Sequence, residues 1–303
     1  SSNSQTKLYG LETQFQEFIR LYKKNKLPNK ILLSGLKGTG KCTLAYHLIN
    51  YVLSKGEEKS YDIDNLQINT SNKSFKLIQN GTNPNFQLID ISSEKKFIEI
   101  NQIRILINNL NKSSFNSKPR FVLIDNIEYL NLNAINALLK ILEEPNNNIF
   151  FILINNNKKI VSTLLSRCIN FKISLSNKEI NEINKKLFSN KIENKINQDF
   201  INYYYTPGSL YNLIKFSEDN EIDLANVGLK QLLIKLINES YYKKDIKDKN
   251  FLYELVEIFL LKSVSLIYSE LTSYFLKKIN ECKKFNLDDE SLFLEINSKL
   301  LNE

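Results

Sequence analysis

The residues best suited to chemistry fall in three short stretches, and all three suit a phosphate ester. Gly35-Leu36-Lys37-Gly38-Thr39-Gly40-Lys41 has the Gly-x4-Gly-Lys spacing of a phosphate-binding loop. Its glycines let backbone N–H groups turn toward an anion, and Lys41 adds a full positive charge. Asp125 closes the apolar run FVLID, and Arg167 stands in Ser166-Arg167-Cys168 beyond a second apolar run. An acid at the first position holds magnesium beside a nucleotide, and an arginine neutralises the charge that develops during phosphoryl transfer. An arginine in this place can also serve a nucleotide held by another molecule.

The neighbours of these residues narrow the chemistry. A magnesium-binding loop needs Ser or Thr after its lysine, but this chain has Cys42. A thiol is a soft ligand and a poor substitute for a hydroxyl on a hard cation. Thr43 follows, but one helical step rotates it by about 100°. It could touch a phosphate, yet it does not simply replace the missing ligand. After Asp125, where a glutamate would orient the attacking water, stands Asn126, which cannot act as a base. Glu128 is either a displaced base or a solvated acid at a loop start. Asn155 and Asn156 end the next apolar run, either as sensors of a γ-phosphate or as ordinary loop asparagines.

The elements that position these residues follow from periodicity. Apolar runs at 31–34, 87–90, 120–125, 149–154 and 169–173 read as strands. Helical spacing appears at 11–25, from Cys42 to Leu53, and over 100–110 and 133–144, the last stopping at Pro145. Residues 54–84 read as polar and irregular. Strands alternating with helices predict a parallel five-stranded sheet covered on both faces. Beyond about residue 174 the pattern is helical only. Segments 176–188 and 198–216 are punctuated by Thr206-Pro207-Gly208-Ser209, and helical segments follow from about 224, with a charged connection over 239–250. The expected domains are 1–174, an α/β nucleotide-binding domain; 175–222, a small helical lid; and 223–303, an all-α bundle.

Composition excludes several classes. The 303 residues are 42% hydrophobic, enough for a sizeable core. Cys42, Cys168 and Cys282 are far apart and His47 is the single histidine, so no zinc site or disulfide framework is expected. A reducing cytoplasm fits, and the first residues carry no apolar signal core. No apolar run is long enough to span a membrane. The net charge of +8 is compatible with an acidic partner or nucleic acid, but the basic residues are scattered rather than blocked.

Taken together, GLKGTGKCTLAYHL (35–48), NPNFQLI (83–89), IEINQIRIL (98–106), LNLNAINALLKILEEP (130–145) and LLSRC (164–168) resemble the clamp-loader branch of the AAA+ ATPases. The resemblance covers about residues 8–175 well and TPGSL (206–210) loosely. It implies an AAA+ domain, a lid and a C-terminal collar that joins five subunits into a ring. It implies Tyr9-Gly10 near an adenine pocket. It also implies nucleotide contacts from Gly35, Gly38, Thr39, Gly40, Lys41, Cys42 and Thr43, a sensor-like Asn155, and Asp125 on the magnesium side. ATP or ADP, with or without magnesium, is the implied cofactor, and no zinc is implied. Arg167 corresponds to the finger that reaches a neighbour's ATP, or else to a salt-bridged arginine at a strand entry.

Motor subunits of that branch keep the hydroxyl after the lysine, the glutamate and a lid arginine. Here stand Cys42, Asn126 and, near the lid turn, Ser209, Leu210 and Tyr211. These departures favour a non-motor stator that helps load a sliding clamp on primed DNA within a DNA-directed DNA polymerase (nucleotidyltransferase) holoenzyme, with little or no ATPase of its own. Two alternatives remain: an active motor using Glu128 and Thr43, or a DNA-binding adaptor with a relic nucleotide fold.

Overall fold

The computed structural model describes residues 4–91, 95, 97–112, 116–144, 148–188, 196–197, 199–200, 206–262, 269–285 and 287–301. The chain divides into two compact units, Ser1–Leu187 with Thr206–Ser209, and Phe188–Tyr205 with Leu210–Glu303. Among the described residues, no helix is long and apolar enough to cross a membrane.

The first unit is built on five parallel strands: β1 (Lys30–Ser34), β2 (Phe86–Ile89), β3 (Arg120–Ile124), β4 (Ile149–Asn155) and β5 (Ile169–Lys172). Their order across the sheet is β2-β3-β4-β1-β5. Successive side chains of a strand point to opposite faces, and both faces here are apolar. Ile31, Leu33, Phe121, Leu123, Ile152 and Ile154 enter one core with helices α1 (Glu12–Lys23) and α2 (Lys41–Leu53). Leu32, Val122, Ile124, Phe151 and Leu153 enter the other, with α4 (Ile100–Leu110) and α5 (Leu132–Glu143). The doubly covered sheet is thus an α/β fold, as the alternation of elements predicts. The functional stretches are brought together because β1, β3 and β4 are neighbours running in one direction.

Local chemistry sets the helix starts. Asn131 caps α5 by accepting from the Ala134 N–H at 2.8 Å. Glu99 and Gln102 form a capping box at α4. Two short helices differ from the expected irregular structure. α3 (Lys73–Gln79) lies within 54–84, where Asn72 accepts from the Phe75 N–H at 2.6 Å. α6 (Ser162–Leu165) precedes the Ser-Arg-Cys stretch. Neither spans enough turns for its periodicity to stand out from loop sequence. Pro145, read as the stop of α5, lies outside the described residues. The final helix of this unit, α7 (Asn177–Phe188), buries Ile183.

The second unit is helical. Its elements include Leu229–Asn238, Ile246–Lys262, Ser269–Phe285 and Asp289–Ile296 around Phe200, Leu252, Phe275 and Phe293. The helix from Ile246 begins inside the charged stretch expected to be a connection. Lys249 and Asp289 pair at 2.7 Å, and Tyr253 donates to the same carboxylate, tying two of these helices.

Candidate functional site

The phosphate loop runs from the end of β1 into α2, as its spacing requires. Gly40 takes φ +87° at the N-cap of α2, a conformation that side chains disfavour. Gly38, at φ +82°, meets Thr206–Ser209, the start of the helix Pro207–Asp219 and part of the same compact unit. A Cβ there would lie 2.4 Å from Thr206 Oγ1. The Gly208 N–H donates to the Gly38 carbonyl at 2.9 Å. Thr39 Oγ1 donates to the Leu36 carbonyl at 3.0 Å.

Lys41 is buried and its Nζ donates to the carbonyls of Gly35 (3.0 Å) and Leu36 (2.6 Å). Burial lowers its ammonium to about 8, opposed by the negative fields of Asp125, Glu128 and Cys42. Cys42 and Thr43 lie in the first turn of α2. The Cys42 side chain hydrogen-bonds the Asp125 carboxylate.

Asp125 follows β3, and its N–H donates to the Ile89 carbonyl at 2.9 Å. Burial and the nearby charge of Asp90 raise its carboxyl to about 6, against the lowering effect of Cys42. Asn126 takes a left-handed φ of 56°. Its Nδ2 donates to Asp90 Oδ1 at 2.8 Å. Asn156 Nδ2 donates to Asn126 Oδ1 (2.7 Å) and Glu128 Oε1 (2.9 Å). A chain of four side chains, Asp90–Asn126–Asn156–Glu128, therefore stitches the ends of β2, β3 and β4. Glu128 is a member of this network rather than a solvated acid. Asn155 is buried and spent locally: its Nδ2 donates to the Lys158 carbonyl at 2.9 Å, and its Oδ1 accepts from the Lys158 N–H at 3.2 Å.

Sequence reasoning missed Asp90 as a site residue. It was legible as an acid ending an apolar strand, like Asp125. The register Ile89↔Ile124 sets the two side by side, but strand order is not written in the sequence. Near the N-terminus, the Gly10 N–H donates to Glu12 Oε1 at 3.0 Å. A Cβ on Gly10 would lie 2.2 Å from Ile183 Cδ1, so this dipeptide packs on α7.

Arg167 lies apart from this cluster, just after α6. Its Nε donates to Glu143 Oε1 at 3.0 Å, and its Nη1 to the Thr163 carbonyl at 2.8 Å. The guanidinium also forms an ion pair with Glu143, and 31% of its side chain stays exposed. Glu143 was not singled out from the sequence; it is the last residue of α5. Cys168 packs against the α4/α5 core, and burial pushes its thiol up to about 11.

A family model described as DNA polymerase III, delta subunit matches residues 10–177, more than half of the chain. The chain belongs to this family. Curated relatives of this DNA polymerase III subunit family include a DNA polymerase III subunit delta′ from Buchnera aphidicola subsp. Schizaphis graminum. It is 29% identical over 245 residues, covering 78% of this chain and 67% of the relative. A DNA polymerase III subunit gamma from the same organism is 27% identical over 314 residues, covering 91% and 82%. The crystal structure of a gamma-subunit-related protein from Thermotoga maritima shares the fold, with a TM-score of 0.52 and 16% identity over 93% of this chain and 97% of that one.

Proposed function

We propose that this chain is a non-motor subunit of the DNA polymerase III clamp loader, presenting Arg167 to the nucleotide of a neighbouring subunit. The observation that carries the reading is an asymmetry within one domain. On the chain's own side, Asn126 fills the place of the water-orienting base and gives its amide to Asp90, and Cys42 fills that of the metal-side hydroxyl. Arg167 stands apart from that cluster, half-buried and already oriented by Glu143 and the Thr163 carbonyl. Family membership and the delta′ and gamma relatives support the clamp-loader part of the reading. The partners are then motor and delta-like subunits in a five-membered ring, and through that ring the sliding clamp and primed DNA. The C-terminal helices serve as the collar.

The residues of the phosphate loop, Gly35 through Thr43, would bind nucleotide with little turnover. A trans arginine contributes about 10³–10⁵ in rate at the site it serves. Reconstitution with the motor subunits tests the reading. Arg167→Ala should remove most of the DNA-stimulated ATPase and clamp loading while leaving the isolated subunit's melting temperature unchanged. Clamp loading at the wild-type rate by the variant would overturn it.

A further inference from the structure

The residues that would hold magnesium do not fit it. Magnesium demands near-octahedral oxygen ligands, and a thiol offers none. Cys42 sits at the hydroxyl position and is hydrogen-bonded to Asp125, the acid that would face the ion. The neighbouring acids are also engaged: Asp90 Oδ1 accepts from Asn126 Nδ2 and from the Ile91 N–H, and Glu128 accepts from Asn156. Among the described residues, no three His, Cys, Asp or Glu side chains form a metal-binding group.

The anion-binding half of the site remains. The loop and the start of α2 are in place, and the Lys41 ammonium, donating here to the Gly35 and Leu36 carbonyls, turns from them to meet a phosphate. We propose that this loop takes a nucleoside diphosphate without a divalent cation. The inference rests on the nucleotide-binding reading given above and fixes its ligand. Lys41 provides positive charge for two phosphates next to the loop amides. Asp125 and Glu128 act through space on the same ammonium. A third phosphate, unscreened by a metal, would add its charge to those two acids, and like charges at close range in a poorly solvated site repel strongly. The triphosphate is disfavoured for that reason. The loop therefore holds its ligand outside any hydrolytic cycle.

Equilibrium binding of fluorescent ADP and ATP to the full chain tests this, in EDTA, in magnesium and in cadmium. ADP should bind in EDTA about tenfold or more tighter than ATP, and magnesium should leave the ADP affinity within about twofold. Cys42→Thr restores the oxygen ligand and should make binding tighten with magnesium. Tightening of wild-type binding by about tenfold in magnesium, or ATP binding as tightly as ADP, would overturn the inference. Tightening by cadmium alone would also overturn it, showing a thiophilic metal site. If neither wild type nor Cys42→Thr binds a nucleotide in any condition, the nucleotide-binding reading itself fails.

Discussion

His47, the single histidine, is fully buried in α2. Its ring nitrogens meet the Tyr61 hydroxyl at 2.7 Å and the Gln5 carbonyl at 3.1 Å. The carbonyl can only accept, so Nε2 carries the proton and Nδ1 accepts from Tyr61. Burial depresses its pKa from 6.5 to about 4. The unfolded chain therefore binds a proton that the folded chain refuses between those two values. The contribution is complete above pH 6.5 and is lost as pH falls toward 4, by about 3 kcal/mol in all. Urea midpoints at several pH values should show this loss in wild type. His47→Phe should be less stable at neutral pH but lack that component of the slope; equal slopes in the two proteins would contradict the assignment. Arg167 illustrates a different residue-scale balance. An exposed ion pair contributes about 0–1 kcal/mol, so the guanidinium can leave Glu143 for a phosphate at little cost.

At the scale of elements, the contact of the start of the helix Pro207–Asp219 with the phosphate loop is glycine against glycine. A Cβ on Gly208 would lie 2.7 Å from Gly38 Cα and 2.9 Å from its carbonyl oxygen. Both are backbone atoms that cannot rotate away. Gly208→Ala should destabilise the protein by about 1–3 kcal/mol and speed hydrogen exchange of the residue 208 amide. Gly56→Ala serves as a control. It meets nothing within 4 Å and strains only its positive φ, at about 1–2 kcal/mol. Unchanged exchange at residue 208 in Gly208→Ala would show that the helix start and the loop move freely together. This contact could not be read from the sequence, where 169 residues lie between Gly38 and Gly208. The strands were legible because each is a short apolar run between breakers, and α2, α4 and α5 because their apolar periodicity spans at least three turns. The phosphate loop, Asp125 and Arg167 were legible from type and spacing. Glu143, Asp90 and the local spending of Asn155 depend on strand order and side-chain reach, which no single stretch of sequence records.

For the whole molecule, the apolar interior is divided. Two cores flank the sheet, with residues from Leu8 to Ile173, and a separate core occupies Ile196 to Leu301. Each unit thus has its own source of cooperativity. Phe275 and Phe121 are both buried, one in each unit. Replacing either with Ala should cost about 3–5 kcal/mol. Calorimetry of the full chain should then show two transitions, with Phe275→Ala lowering one and Phe121→Ala the other. A single transition lowered equally by both would show that the units unfold as one.

The bond from Asn126 to Asp90 bears on how this lineage can change. In its present form the amide is a good partner for a carboxylate. A glutamate at position 126 would press a second negative group against Asp90, in a site that already contains Asp125 and Glu128. A single change at 126 is therefore unfavourable while Asp90 keeps its carboxylate. An acid at 126 therefore calls for a matching change at position 90, so the bond couples two residues that follow different strands.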